Sequence, residues 1–248
     1  MLRLLKIALL AISFSLPAQA APSPEIMTAV QANRLRSAEE MARDPHRHPD
    51  AILDFWGIQP SAKVIDLGAG GGYYTKILAT YLKTGQVTAI NADFFAQNPR
   101  FAKTLEAMNT LAQQEKNVTH QINAFDELKL PSQLDGALFV NFYHDITWLG
   151  YNRQRMNQSI FKALKPGGKL LIIDHEGPWG SGFEVGKSLH RIEGQALLQE
   201  VLDAGFHLVN TSSLLQRKDD ILNASAVDVE ARRGQTSRFV YLFEKPLH

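Results

Sequence analysis

Asp66-Leu67-Gly68-Ala69-Gly70-Gly71-Gly72-Tyr73-Tyr74-Thr75 is the stretch on which the fold turns. Ahead of it, Val64-Ile65-Asp66-Leu67 is a short apolar run that ends in glycines, the pattern of a buried strand. Behind it, Tyr74, Ile77, Leu78 and Tyr81 recur at helical spacing. A glycine-rich turn between a strand and a helix lets the backbone approach a ligand closely and aims the first helical N–H groups at it. The spacing narrows the ligand. A dinucleotide loop, G-x-G-x-x-G, needs glycine at position 73, which is Tyr73 here. The Gly-Lys-Ser/Thr ending of a phosphate loop is also absent.

Working outward, strands are expected at 86–90, 118–122, 134–141 and 169–174, with helices at 101–111 and 151–164 between them. The second helix closes at Lys165-Pro166-Gly167-Gly168, a stop signal with a turn. Leu197, Leu198, Val201 and Leu202 line a further helix that ends at Gly205, and two strands follow at 207–211 and 239–243. Alternating strands and helices imply an α/β fold with a mostly parallel sheet and helices on both faces; two closing strands without a full crossover imply an antiparallel ending. The stretch 212–237 is long for a connection and reads either as a functional flap or as a partly ordered extension. Upstream, 22–44 is polar and helical. Asp44-Pro45-His46-Arg47-His48-Pro49 reads as a loop, and 50–56 as a short helix stopping at Gly57.

Asp-x-Gly-x-Gly-x-Gly resembles the first motif of class I S-adenosylmethionine-dependent methyltransferases. Leu134-Asp135 with the strand to Asn141 looks like the fourth-strand motif of that family. Leu164-Lys165-Pro166-Gly167-Gly168 looks like the turn before strand five, and Ala204-Gly205-Phe206 like the turn into strand six. Gly72-Tyr73-Tyr74-Thr75, Tyr143-His144-Asp145, Asp174-His175, Leu189-His190-Arg191-Ile192 and Arg233-Gly234-Gln235-Thr236 resemble a branch of exported bacterial proteins described as predicted methyltransferases. The resemblance implies a Rossmann-like, seven-stranded sheet with an antiparallel last strand and S-adenosyl-L-methionine as cofactor. It puts Gly68, Gly70 and Gly72 under the amino-acid end of the cofactor, held also by Asp66. Strand two of the family ends in an acid that binds the ribose hydroxyls; here that place is Asn91, with Asp93 two residues on. The adenine-contacting acid after strand three is Asn123, with Asp126 nearby, and Asn141 completes the cofactor contacts. An amide carbonyl accepts hydrogen bonds without charge, so both replacements weaken the contact.

Methyl transfer from a sulfonium is an in-line displacement that needs alignment, and a base only where the nucleophile must lose a proton. In an open α/β sheet the ligand lies beyond the carboxyl ends of the strands. The expected catalytic residues are therefore His144, Tyr143 and Asp145, with His144 as base because histidine titrates near neutral pH and adjoins Asp145. The same pair reads equally as a helix cap. Asp174-His175 is a second such pair or a polar strand end; His190-Arg191 opens a helix and closes over the acceptor, or packs. No compact ligand spacing ties His46, His48, His144, Asp145, Asp174 and His175 into a metal site, and none is assigned. Asn141-Phe142-Tyr143-His144 lacks the prolines of nucleobase amino methylation, which argues against that acceptor.

The 248 residues are 45% hydrophobic and 21% charged, an ordinary globular balance with a formal net charge of +1. Arg3 and Lys6, the apolar run 7–16, Pro17 and Ala18-Gln19-Ala20 read as a signal peptide cleaved before Ala21. Its removal leaves 24 basic against 25 acidic residues, so no electrostatic footprint for nucleic acid remains. The expected organisation is a signal at 1–20, an N-terminal helical extension at 21–62 and the cofactor-binding domain at 63–248, in a periplasmic or otherwise exported protein. No membrane span is expected after cleavage. With no cysteine, thiol nucleophiles and thiolate metal sites are excluded. Two functions remain: methyl transfer to a small or envelope-associated acceptor, or a non-catalytic ligand- or partner-binding module on the same fold.

Overall fold

The computed structural model describes residues 21–227 and 234–247, so the expected signal at 1–20 and part of the long connection lie outside the described residues. Four short helices come first: α1 (Pro24–Gln31), α2 (Ala38–Met41), α3 (Asp44–Arg47) and α4 (Pro49–Trp56). Then follow β1 (Lys63–Leu67), α5 (Tyr73–Tyr81), β2 (Gln86–Ala92), α6 (Asp93–Ala96), a 3-10 turn (Pro99–Phe101), α7 (Ala102–Gln114) and β3 (Val118–Asn123). The second half holds β4 (Leu134–Val140), α8 (Tyr143–Ile146), α9 (Arg153–Ala163), β5 (Leu164–His175), α10 (Gly186–Leu189), α11 (Gly194–Asp203), β6 (His207–Ser212) and β7 (Arg238–Glu244). No helix among the described residues is long and apolar enough to cross a membrane.

The seven strands form one sheet in the order β3-β2-β1-β4-β5-β7-β6. Strands β1 to β5 pair in parallel, and β7 runs antiparallel to both β5 and β6. This is the Rossmann-like, mostly parallel sheet expected. The strands are apolar on both faces because both are covered. Val64, Val87, Leu138 and Leu171 face one core with Ile26 and Val30 of α1, Ile52 and Trp56 of α4, and Ile77 of α5. Their neighbours Ile65, Ile90, Phe139 and Ile172 face the other, with Met156 and Ile160 of α9 and Leu197 and Val201 of α11. Strand order reverses between β1 and β4, so the loops leaving these two strands diverge and open a crevice at their carboxyl ends.

Three expectations need correction. The stretch 22–44 is not one helix, since Ser23 and Ser37 each cap a separate one; Ser37 forms a reciprocal capping box with Glu40. The proline-rich stretch 44–49 is not a loop either. Pro45 and Pro49 sit in the first turns of α3 and α4, where a missing N–H costs nothing, and His48 between them takes a left-handed conformation that separates the helices. Finally, Lys165-Pro166-Gly167-Gly168 lies inside β5. Leu134 pairs with Leu164 and Gly136 with Lys169, so the four residues bulge out of an otherwise continuous strand.

Candidate functional site

The turn leaving β1 is held in shape from below. Gly68 and Ala69 donate their N–H groups to Ile90 O, and Asn91 holds Gly70 by both halves of its amide. Gly68, Gly70 and Gly72 all have positive φ. At Gly68 a Cβ would stand 2.5 Å from the Phe142 ring, so the loop from β4 presses directly on the loop from β1. Gly72 faces elsewhere: a Cβ there would meet Met108 Sδ at 2.6 Å, so its bareness lets α7 approach α5 rather than serving a ligand.

Above the turn is a cleft of about 260 Å³ lined by Asp66, Gly68, Gly70, Asn141, Arg43 and Arg47 among others. Asp66 is 3% exposed, and its Oδ2 accepts the Thr75 hydroxyl at 2.6 Å. Burial pushes its carboxyl up to about 7, against the pull of the Thr75 hydrogen bonds. Asn141 has a positive φ, and its buried Oδ1 has no hydrogen-bond partner among the described residues. An orphaned buried acceptor of this kind asks for a ligand donor. The opposite wall comes from the N-terminal helices. The guanidinium groups of Arg43 and Arg47 lie 5.0 and 4.4 Å from the centre of the Tyr73 ring. Neither has a carboxylate partner among the described residues, whereas Arg36 on the same ring is paired with Asp44. The donor set would suit an amino-acid zwitterion, with Arg43 and Arg47 available to a carboxylate and Asp66 and Asn141 to an ammonium.

A second cluster stands past the ends of β4 and β5. His144 is 2% exposed; its Nδ1 lies 2.7 Å from Asp174 Oδ1, and its backbone N–H donates to Asp174 Oδ2 at 2.9 Å. Burial works against a charge on His144, but Asp174 and then Asp145 outweigh it and hold its pKa above the usual histidine value. The expected His144–Asp145 pairing is present at 3.6 Å through Nε2, but the shorter bond, through Nδ1, goes to Asp174. Asp145 Oδ1 also lies 3.2 Å from His190 Nδ1 and accepts Trp148 Nε1–H at 3.1 Å. His175 in turn pairs with the Thr236 hydroxyl at 2.8 Å, and burial, then His144, drive its pKa well below the usual value.

Other expected site residues are drawn elsewhere. Asn91 is fully buried and spends its amide on Gly70 and His120, which leaves nothing for a ribose. Asp93 accepts the Tyr151 hydroxyl. Asn123 closes the loop after β3 by accepting Lys129 N–H at 3.2 Å. The Tyr143 hydroxyl faces α9 and α11, accepting from Asn157 at 2.7 Å and donating to Glu200 at 2.9 Å. His190 does not open a helix but ends α10, and Arg191 is fully buried with a bidentate bond to Asp220 at 2.9 and 3.0 Å. That bond straps the 213–227 segment down, with Leu215 and Ala226 buried beneath. Sequence reasoning missed Arg43 and Arg47, which lie some twenty residues upstream of the glycine turn and carry no motif, and it missed Asp174 as the partner of His144.

Residues 65–172 match the family model described as a methyltransferase domain. No curated protein matches the chain. Among solved structures, a SAM-dependent methyltransferase from Aquifex aeolicus is similar with a TM-score of 0.57 at 19% identity, over 82% of this chain and 95% of that one. An S-adenosylmethionine-dependent methyltransferase from Mesorhizobium loti gives 0.55 at 16%, over 85% and 100%. The [4+2]-cyclase SpnF gives 0.58 at 14%, over 90% and 94%. Likenesses at these identities establish the fold, and the cyclase among them means that the fold alone does not dictate the reaction.

Proposed function

We propose that this chain, a methyltransferase whose cofactor is S-adenosylmethionine, moves methyl onto a small or envelope-associated molecule seated beyond the carboxyl ends of β4 and β5. One observation carries the reading: the cleft over the glycine turn combines a buried acceptor, Asn141 Oδ1, and two arginines, Arg43 and Arg47, all without a partner among the described residues, with the raised carboxyl of Asp66. Asp66, Gly68, Gly70 and Asn141, with Arg43 and Arg47, are the residues that would hold the amino-acid end. When bound, the cofactor supplies an already activated methyl on a sulfonium, so the chain's task is alignment and exclusion of water. His144 acts on the acceptor's nucleophilic atom, with Asp174 as its positioning residue and Asp145 beside it. Tyr143 has a packing role in this reading. Residues 1–20 are an export signal, which N-terminal sequencing of the protein recovered from the cell envelope checks.

The test has two arms. Calorimetry with S-adenosylmethionine and with its demethylated product should give saturable binding that Arg47→Ala weakens. Radiolabelled methyl should pass to a component of a cell-envelope extract and fail to do so with His144→Ala. Binding without transfer across broad extracts selects the non-catalytic module. No binding at all overturns the proposal.

A further inference from the structure

We propose that His144, Asp145 and His190 form a site for one divalent transition-metal ion of the zinc class. Asp145 Oδ1 lies 3.6 Å from His144 Nε2 and 3.2 Å from His190 Nδ1, and the three ligand atoms all fall within 4.8 Å of one another. Around a tetrahedral ion with bonds of about 2.0–2.1 Å, neighbouring ligand atoms stand roughly 3.3 Å apart. The two Asp145 separations straddle that figure, and the histidine-to-histidine edge lies within 4.8 Å.

The second observation is the way His144 is prepared. It is 2% exposed, and Asp174 Oδ1 takes up its Nδ1 at 2.7 Å. Nε2 is left facing Asp145 and His190 with no hydrogen bond among the described residues. A carboxylate behind one ring nitrogen, with the other nitrogen free to donate its lone pair, is the arrangement that orients metal-bound histidines. The short helix that ends at His190 packs tightly against α8. His190 ends α10 with φ of 51°, and a Cβ at Gly186, where α10 begins, would stand 2.8 Å from His144 O and 2.1 Å from Thr147 Oγ1. The close approach of α10 to α8 brings His190 onto Asp145 at a cost in backbone strain, which is common where function requires it. His190 is partly exposed, so the site opens to solvent. Three protein ligands leave a further position free for water or an acceptor oxygen.

The inference uses side chains assigned above but does not rest on methyl transfer; with an ion bound, His144 is a ligand rather than a base. The test is a titration of the full, untagged chain, stripped with chelator, with Co²⁺ alone and then Zn²⁺ alone. One Co²⁺ per chain should bind with visible d–d absorption, displaced by one Zn²⁺. His190→Ala, at a partly exposed position the fold tolerates, should weaken binding by about 100-fold or more, and Asp174→Asn by about 10–100-fold. His207→Ala, on an exposed edge strand, should leave it unchanged. Absence of one-to-one binding overturns the site and leaves an ion-pair network. Binding that survives His190→Ala overturns it too. Since neither cofactor nor acceptor is present, failure here leaves the methyl-transfer reading standing, and loss of cofactor binding leaves the metal site standing.

Discussion

Asn91 grips Gly70 with both ends of its amide: Oδ1 accepts the glycine N–H at 2.8 Å, and Nδ2 donates to the glycine carbonyl at 3.2 Å. A carboxylate cannot make the second bond. Asn91→Asp introduces the acid carried at this place by the methyltransferases whose motifs the chain resembles, yet it would turn a buried, uncompensated oxygen toward Gly70 O. The variant should lose about 1–3 kcal/mol of stability and bind the cofactor more weakly. Urea unfolding and calorimetry check both; tighter binding at full stability would overturn the bracing role.

Two glycines of the same turn should respond oppositely. Gly68→Ala meets Phe142 at 2.5 Å and has φ of +66°, so a loss of about 1–3 kcal/mol is expected from strain and overpacking. Gly71→Ala points into open space, with nothing within 4 Å. Its stability should stay within about 0.5 kcal/mol, while cofactor affinity falls because the new methyl enters the cleft. Thermal melts with and without cofactor separate the two cases.

Removing the carboxylate behind His144 has a structural consequence that is independent of any reaction. Asp174 is fully buried and accepts from His144 Nδ1, His144 N and His175 N. Asp174→Ala strands all three donors and should cost about 3–5 kcal/mol, whereas Asp174→Asn keeps one acceptor oxygen and should cost less. Chemical denaturation of the two variants gives the comparison.

Stability should also depend on pH through Asp66. Its folded-state pKa is raised to about 7, above an unfolded value near 3.9, so its contribution is full below about pH 3.9 and is lost as pH rises through about 7. The whole change is of order 4 kcal/mol. The difference in unfolding free energy between the wild type and Asp66→Asn, followed from about pH 5 to about pH 8, should therefore drift against the wild type as pH rises. A flat difference would mean that the carboxyl is not raised.

Arg191 and Asp220 tie the 213–227 segment to the body of the domain. Arg191→Ala leaves Asp220 without its cation and removes three hydrogen bonds to main chain and side chain beyond the first. A loss of about 3–5 kcal/mol is expected, with protease cleavage appearing first in that segment. Cleavage elsewhere first would argue that the strap is held by other contacts.

The sequence alone determined the strands, their alternation with helices and the glycine turn, because these are set by neighbours in the chain: apolar runs, helical spacing and turn residues. The spacing of Gly68, Gly70 and Gly72 with Tyr73 at the next position also ruled out a dinucleotide loop, and the resemblance of that motif to methyltransferases implied the class of cofactor. It did not separate glycines that face a ligand from Gly72, which faces Met108, since both uses need the same missing side chain. Nor did the prolines at 45 and 49 reveal that they start helices, because a proline favours a turn and a first helical position alike. Only the tertiary structure decided that His144 belongs to Asp174 thirty residues away, that Asn91 points inward to Gly70, and that Arg43 and Arg47 wall the cleft. Those pairings depend on strand order and on which loops the sheet's reversal between β1 and β4 brings face to face, and no local pattern carries that distance.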